Sequence, residues 1–545
     1  MKKNRRKIAL LICLVMCVAL IAACGSDDSG PAQTGPSTAP PTSQTPPPAP
    51  PTIVPVAPPD EARLADEINV IVDNNTITVI NQFLSAGNTS PTLWTWTMIH
   101  DRLIVNEGSG VYSPGLALDW RTTDYQTFVF DLREGVTFHN GDPFTAADVV
   151  FTINTAKEFP GTRGNDIWRI VDTVRAVNPF QVEMVLSQVH VDFFFDISMP
   201  WGGMVNQRAR STMSPDDWTW IGTGPFQVAH FETGSHVVLE RYDGFWGEPA
   251  PTRQVTLRYV PEAGTRPLML LSGEYQVLFS INTPDVPQFE AHADFTVLET
   301  IFNAPNCIGF NMADPLMSDY NFRMAVMHAI NRDDVAMGAA GVWARAPQDG
   351  NNWGFGTEFR LTDIPNIPFD PVLARQYLAD SPYNGETLEI AVTVRTNVLA
   401  AEVVQEQLRQ NLGMETVIAE FDTPGFVSHV RTADVAHMHV FASSFTLSAA
   451  GSSWNVFSPD SGSNRIRYDN PFISDLISTA RATTDLNARI AIFHEIQRYM
   501  AEDPPYMNLF WRYNPLVIRN GIGGMQLGYD ALTYNLRGIY WVLED

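Results

Sequence analysis

The chain has 545 residues, 35 of them Lys or Arg against 60 Asp or Glu, for a formal charge of −25 at pH 7. That length allows about three domains of ~150 residues with large buried cores, and 45% hydrophobic with 17% charged residues excludes wholesale disorder. A surface this acidic repels phosphate backbones, which removes nucleic acid from the expected partners. Lysine is confined to Lys2, Lys3, Lys7 and Lys157. Lys157 follows Ala156, so there is no G-K-[ST] phosphate loop, and Schiff-base chemistry would rest on this one residue.

The first element is an address. A basic start is followed by an apolar run from Ile8 to Ala23, short for a membrane span and suited to a secretory signal. Cys24 comes directly after Ile21-Ala22-Ala23. This resembles the lipobox of bacterial lipoproteins, in which the cysteine thiol is acylated and becomes the new N-terminus. Residues 1–23 then read as a signal peptide and Cys24 as the lipidation site; a retained signal anchor is the alternative. Cys13 and Cys17 leave with the signal, so Cys307 stands alone and neither a disulfide nor a cysteine metal cluster is available. From Gly25 to Asp60, twelve of 36 residues are proline. Residues 24–64 therefore form the lipidated end and an extended spacer, with the folded body starting at about Ala65.

Within the body, strand-like and helix-like segments alternate without a fixed repeat, which predicts an α/β class. Ile68–Ile71 reads as an opening strand. Phe128, Phe130 and Leu132 alternate with Thr127, Val129 and Asp131 as one strand face. Arg133-Glu134-Gly135 is a turn, and Thr145 with Asp148 three residues on is a helix start in capping-box spacing. Asp319 opens another helix, with Phe322, Val326, Ala329 and Ile330 on its apolar side. A third runs through Leu486, Ile490, Phe493 and Met500 and is stopped by Pro504-Pro505.

Several blocks of the body carry a family resemblance. The run from Phe130 to Val150, centred on Arg133-Glu134-Gly135-Val136-Thr137-Phe138-His139-Asn140-Gly141-Asp142, resembles the signature of family 5 extracellular solute-binding proteins. Those are the lipid-anchored or periplasmic receptors of peptide and nickel ABC importers. Gly222-Thr223-Gly224-Pro225-Phe226 with Tyr242-Asp243-Gly244-Phe245-Trp246, then Ile308-Gly309-Phe310-Asn311 with Ala329-Ile330-Asn331-Arg332, match further family blocks in order. So do Phe369-Asp370-Pro371 and Arg489 through Pro505. The resemblance covers about Ala65 to Trp511. It implies an α/β two-lobe periplasmic-binding-protein-like fold, type II, of the large cluster with an extra subdomain, joined by two crossing strands. Lobe I is expected over residues 65–275 plus 506–545, with its subdomain near 98–215, and lobe II over 276–505. Tyr275–Phe279 and Tyr506–Trp511 are the crossing candidates. His139 is expected to pack or hydrogen-bond within this fold signature, with no catalytic part.

For ligand contact, Trp94 and Trp96 are candidates for stacking on a planar or apolar solute, the alternative being the start of a buried helix. Trp353, in a loop where relatives approach the cleft, is another. Arg345 is a candidate bidentate donor to a carboxylate, or else a solvated loop arginine. Peptide-binding relatives carry an aspartate that pairs with the peptide's α-ammonium, within a stretch following a strand. Here the corresponding stretch, Val440 to Trp454, contains no acid. Ser444, Phe445 and Trp454 are its candidate contacts, and a buried ammonium lacking a carboxylate is destabilised by several kcal/mol. His437 and His439, two apart, lack a third metal donor, and a structural role is expected for them. His494-Glu495-Ile496-Gln497-Arg498 fails the H-E-x-x-H zinc motif, and neither G-x-S-x-G nor G-x-G-x-x-G occurs. The expectation is a non-enzyme without catalytic residue, metal or cofactor. It is a monomer held by its lipid on the outer face of the bacterial cytoplasmic membrane, delivering a small peptide-like or other organic solute to an ABC permease and ATPase. A sensory lipoprotein on the same fold is the alternative, and a secreted hydrolase is disfavoured.

Overall fold

The computed structural model describes residues 63–543 apart from 73–79, 82, 85–89, 109–110, 161, 214–216, 280, 302–304, 348–349, 351–358, 394, 433–436, 443–455, 460, 462–463 and 528–533. The chain opens with strand β1 (Glu67–Ile71) and helix α1 (Ser90–Ile99). Strands β2 (Ala117–Arg121), β3 (Thr127–Leu132), β4 (Val171–Asn178) and β5 (Gln181–Leu186), with helix α2 (Ala146–Lys157), make a small antiparallel sheet in the order β2-β3-β5-β4. The expected face of β3 is the buried one: Phe128, Phe130 and Leu132 are all in the core. Helix α2 starts at Thr145, whose backbone N–H and hydroxyl both donate to the Asp148 carboxylate, at 2.9 and 3.2 Å. Gly135 and Gly141, at φ of 79° and 83°, make the turns on either side of Val136-Thr137-Phe138, which a side chain would strain.

The main sheet takes β6 (Phe226–Glu232), β7 (His236–Arg241), β8 (Gln254–Arg258), β9 (Val277–Leu278), β10 (Phe295–Ile301) and β11 (Asn306–Phe310). After helix α3 (Tyr320–His328), capped by Asp319, come β12 (Ala344–Arg345) and β13 (Leu388–Val392). Helix α4 (Arg395–Leu412), β14 (Thr416–Glu420), β15 (Met438–Ala442), helices α5 (Pro471–Ala482) and α6 (Leu486–Glu502), and β16 (Tyr506–Arg519) complete the chain's main elements. Asp485 caps α6, accepting from the Ala488 N–H at 2.8 Å, and the helix ends just before Pro504-Pro505 as expected.

The order in the sheet is β14-β13-β15-β11-β16-β9-β1-β8-β7-β6, with β10 and β12 also pairing with β16. Strand β16 therefore belongs to both halves of the molecule. Its start pairs with β11, Tyr506 opposite Gly309, and its end pairs with β10 from Tyr513–Ile301 to Arg519–Phe295. The buried cores divide at the same place. Two core clusters draw every buried member from residues 68–295 and 516–539, and two others draw theirs from residues 307–510. This is the two-lobe arrangement of a periplasmic-binding fold.

One of the crossing candidates is corrected by the pairing. Tyr506–Trp511 does lie in the strand shared by both halves. Tyr275–Phe279 does not cross: β9 is hydrogen-bonded between β1 and β16, and Val277, Leu278 and Phe279 are buried in the first pair of clusters. A boundary at residues 275/276 would cut through that core, and the cores change over between β10 and β11 instead.

Candidate functional site

Strand directions locate the site before any side chain is considered. In the first half, β1, β8 and β9 are mutually parallel, and β9 runs antiparallel to β16, from Val277 opposite Ile518 to Leu278 opposite Val517. Their C-terminal ends thus point toward the middle of β16. In the second half, β13, β14 and β15 are parallel, and β15 pairs antiparallel with β11, so that Ala442 faces Asn306, itself opposite Phe510. These C-terminal ends point at the same place from the other side. Ligands of open α/β sheets bind outside the carboxyl ends of the parallel strands. Here two sets of such ends converge on residues 511–515 of β16.

The described side chains around this junction are polar and aromatic. Arg345 sits opposite Trp511 through the short strand β12. Its guanidinium lies 4.2 Å above the Tyr513 ring, and Nη2 is 3.0 Å from Oε1 of Glu299 on β10, the two side chains being 57% and 41% exposed. Arg512 reaches the Thr396 hydroxyl at 3.4 Å, and the buried Asn306 donates to Asn397 Oδ1 at 2.5 Å. On the first-half side, Trp94, Phe279 and Tyr534 form an aromatic trio, with ring centroids 4.4 Å apart for Trp94–Phe279, 4.6 Å for Phe279–Tyr534 and 5.4 Å for Trp94–Tyr534.

The expected contacts fare differently. Trp94 and Trp96 are 2% and 1% exposed and belong to the first core, so neither offers an open face for stacking. Both indole Nε1 atoms are buried without a hydrogen-bond partner among the described residues. Arg345 is at the junction and more than half exposed, its Nη2 paired with Glu299 and its guanidinium over Tyr513, so a solute carboxylate competes with Glu299 for Nη2. Trp353, Ser444, Phe445 and Trp454, like Cys24, lie outside the described residues. Ser444 follows two residues after Ala442, a junction-facing strand end. Sequence reasoning missed Glu299, Tyr513, Phe279 and Tyr534, because only the pairing of β10 and β16 brings the first two together and only packing assembles the aromatic trio.

The family-like signature turns out to be structural. The His139 Nδ1 accepts from the Gly222 N–H at 3.2 Å, its Nε2 lies 3.1 Å from the Gly224 carbonyl, and the His139 N–H donates to the Gly222 carbonyl at 2.9 Å. This staples the signature to the Gly222-Thr223-Gly224 block. A Cβ on Gly222 would fall 1.8 Å from the Ile99 carbonyl oxygen, which explains the glycine. Burial lowers the His139 pKa to about 4, and it does the same to the neighbouring His100, which lies against the Met204 and Thr219 carbonyls. His439 is fully buried beside Phe426 and Phe441 and is pushed down to about 3 by burial, while His437 accepts the Glu389 N–H. Neither belongs to a group of three metal donors among the described residues.

A second contact links the two halves away from β16. Arg489 on α6 places Nη2 2.7 and 2.9 Å from the two carboxylate oxygens of Asp192, the side chains being 8% and 12% exposed. Beside it the Val191 N–H donates to the Arg481 carbonyl at 3.1 Å. Asp192 immediately precedes the short helix Phe193–Ser198, whose Phe193, Phe195 and Ile197 belong to the first core. Burial raises the Asp192 carboxyl pKa, against the pull of Arg489 and His190.

A two-lobe fold with parallel strand ends from both halves meeting at a shared strand is the architecture of a solute-binding receptor. Residues 111–471 match the bacterial extracellular solute-binding proteins, family 5 Middle, and the chain belongs to that family of non-enzymatic transport receptors. It is 24% identical over 457 residues to the dipeptide-binding protein of Escherichia coli, covering 75% of this chain and 82% of that one. It is 23% identical over 480 residues to the heme-binding protein A of Haemophilus influenzae, with 79% and 86% coverage. Among solved structures, the ABC transporter-associated periplasmic binding protein DppA of Helicobacter pylori, in complex with the peptide STSA, is similar with a TM-score of 0.77. Its sequence identity is 20%, over 89% of this chain and 99% of that chain. No helix among the described residues is long and apolar enough to cross a membrane.

Proposed function

We propose that the protein is a monomeric, lipid-anchored receptor on the outer face of the bacterial cytoplasmic membrane. It captures a small peptide-like or other organic solute and passes it to an ABC permease and its ATPase. The first lobe comprises residues 65–301 with 513–545, and the second 306–511. The observation that carries the reading is the convergence of strand ends from both halves on residues 511–515. A solute held there touches both lobes and so favours the closed form over the open one. Cys24 carries the lipid, and the proline-rich stretch to residue 64 spaces the body from the bilayer.

The preferred solute lacks a free α-ammonium. The stretch Ser443 to Ser453, which follows β15 in sequence, has no acid. Asp422, just before the helix Thr423–Thr432, accepts the Gly425 N–H at 2.8 Å. Glu299, at the junction, is already held by Arg345. An ammonium entering this site has to share Glu299 with Arg345, and one that is buried without a counter-charge is destabilised by several kcal/mol.

The test is a matched panel of short peptides, free and N-acetylated, titrated into the purified protein with tryptophan fluorescence as readout. Blocked peptides are expected to bind at least as tightly as free ones. A loss of tenfold or more on acetylation, equivalent to about 1.4 kcal/mol, overturns the proposed specificity.

A further inference from the structure

We propose that His230, Glu232 and His236 form a binding site for a divalent transition-metal ion of the zinc class, on the β6–β7 hairpin at the free edge of the main sheet. His230 and Glu232 are two residues apart on β6 and so share a face of the strand. Glu232 stands directly opposite His236 on β7, and His230 opposite Val238, after an irregularity in register between Val228 and His230. The result is a convergence of three donors that their spacing in the chain does not announce. One nitrogen or oxygen from each lies within 4.8 Å of the others. His236 Nδ1 is 3.3 Å from Glu232 Oε2, and the two imidazole centroids are 5.3 Å apart with their planes 46° from each other.

Metal–nitrogen and metal–oxygen bonds of about 2.0–2.2 Å in a tetrahedral site place donors roughly 3.3–3.5 Å apart. One pair is already at that separation. The side chains of His230 and Glu232 are exposed and can rotate to close the rest. Two imidazoles and one carboxylate leave a fourth position for water, and imidazole selects zinc, copper or nickel over magnesium and calcium. The ligand form of histidine is the neutral one, and burial, with Arg258 second, lowers the His236 pKa. Arg258 faces His236 on β8 and is the positive neighbour that an ion has to tolerate; the Ser235 hydroxyl lies 3.0 Å from His236 Nδ1.

The hairpin is four to five strands from β16, or about 20 Å at ~4.8 Å per strand. The site is therefore separate from the solute junction and does not depend on the proposed solute. An ion bound there cross-links the edge strand β6 to its neighbour β7, one means of restraining a sheet edge.

The experiment is a zinc titration of the purified, chelator-stripped protein in competition with a chromophoric chelator, joined to electron paramagnetic resonance of the copper-loaded protein. One equivalent of zinc is expected. His230→Ala and His236→Ala each weaken binding at least tenfold, Glu232→Gln weakens it less, and each histidine variant removes one nitrogen from the copper spectrum. Arg258→Gln tightens binding. Metal-free melting curves of the His230, Glu232 and His236 variants should match the parent, since none of these three side chains is in a core. Zinc affinity unchanged in the His230→Ala/His236→Ala double variant overturns the site, as does a copper spectrum without two imidazole nitrogens.

Discussion

Replacing Arg489 with alanine tests how the two halves are held together. The guanidinium touches both oxygens of Asp192 and lies 5.3 Å above the Phe359 ring, with little solvent on either partner. Removing one member of a buried ion pair costs about 3–5 kcal/mol, because the other charge stays behind without compensation. Here the residual exposure and the nearby Arg481 and His190 soften the loss, so about 2 kcal/mol is expected, a factor of roughly 30 in an equilibrium constant. Where that loss lands is informative. If the pair forms on closure, the solute Kd rises about 30-fold while the melting temperature of the solute-free protein holds. If the pair also persists in the open form, the melting temperature falls and Kd holds. Calorimetric titration with the solute released from the purified protein, together with thermal melts, separates the two. Asp192→Asn and the double variant complete a cycle, whose coupling energy should exceed about 1 kcal/mol. Coupling below about 0.5 kcal/mol, with both Kd and melting temperature unchanged, would refute the assignment of this pair as a link between lobes.

Acid should destabilise the fold through its buried histidines. His100 and His139, near 4, and His439, near 3, stay neutral when folded but take up protons near 6.5 when unfolded. Their effect is absent above pH 6.5, and each removes up to about 1.4 kcal/mol of stability per pH unit below it, down to the folded value. Urea midpoints between pH 7 and 5 should show the fall, and His439→Phe, within its aromatic surroundings, should shrink it. Gly222→Ala drives a methyl group into the Ile99 carbonyl and is expected to lower stability by at least about 3 kcal/mol or prevent folding, as read from soluble yield and melts. Cys24→Ala should abolish acylation and detergent-phase partitioning while the body keeps its melting temperature. A variant that still partitions with the parental mass contradicts lipidation.

Much of the fold was legible because its signals are local. The alternation in β3, the Thr145–Asp148 start of α2 and the proline pair after α6 are all satisfied within a few residues. The family-like blocks were legible for the same reason, although what they encode is a staple between His139 and Gly222. The crossing strands were harder. Tyr275–Phe279 is as apolar as a buried crossing strand would be, and only its partners, β1 and β16, show that it stays within one lobe. Strand β16 continues through Pro515, a residue that reads as a strand breaker, and so runs well past Trp511. The binding candidates depended most on distant packing. Trp94 is buried by Phe279 and Tyr534, which lie 185 and 440 residues further along the chain, and the pairing of Arg345 with Glu299 requires both to reach the same strand. The hairpin donors become a cluster only when the register sets Glu232 against His236.

Strand β16 also bears on how the protein is made. It lies between β11 and β9 in the sheet, yet it comes from the last tenth of the sequence. Until it emerges, the two half-sheets lack the strand that joins them, and the edges of β9 and β11 that pair with it have no hydrogen-bonded neighbour there. Contacts of such long sequence separation form late and slow folding. In a chain synthesised from its N-terminus, the two-lobed shape is therefore complete only once β16 has been made.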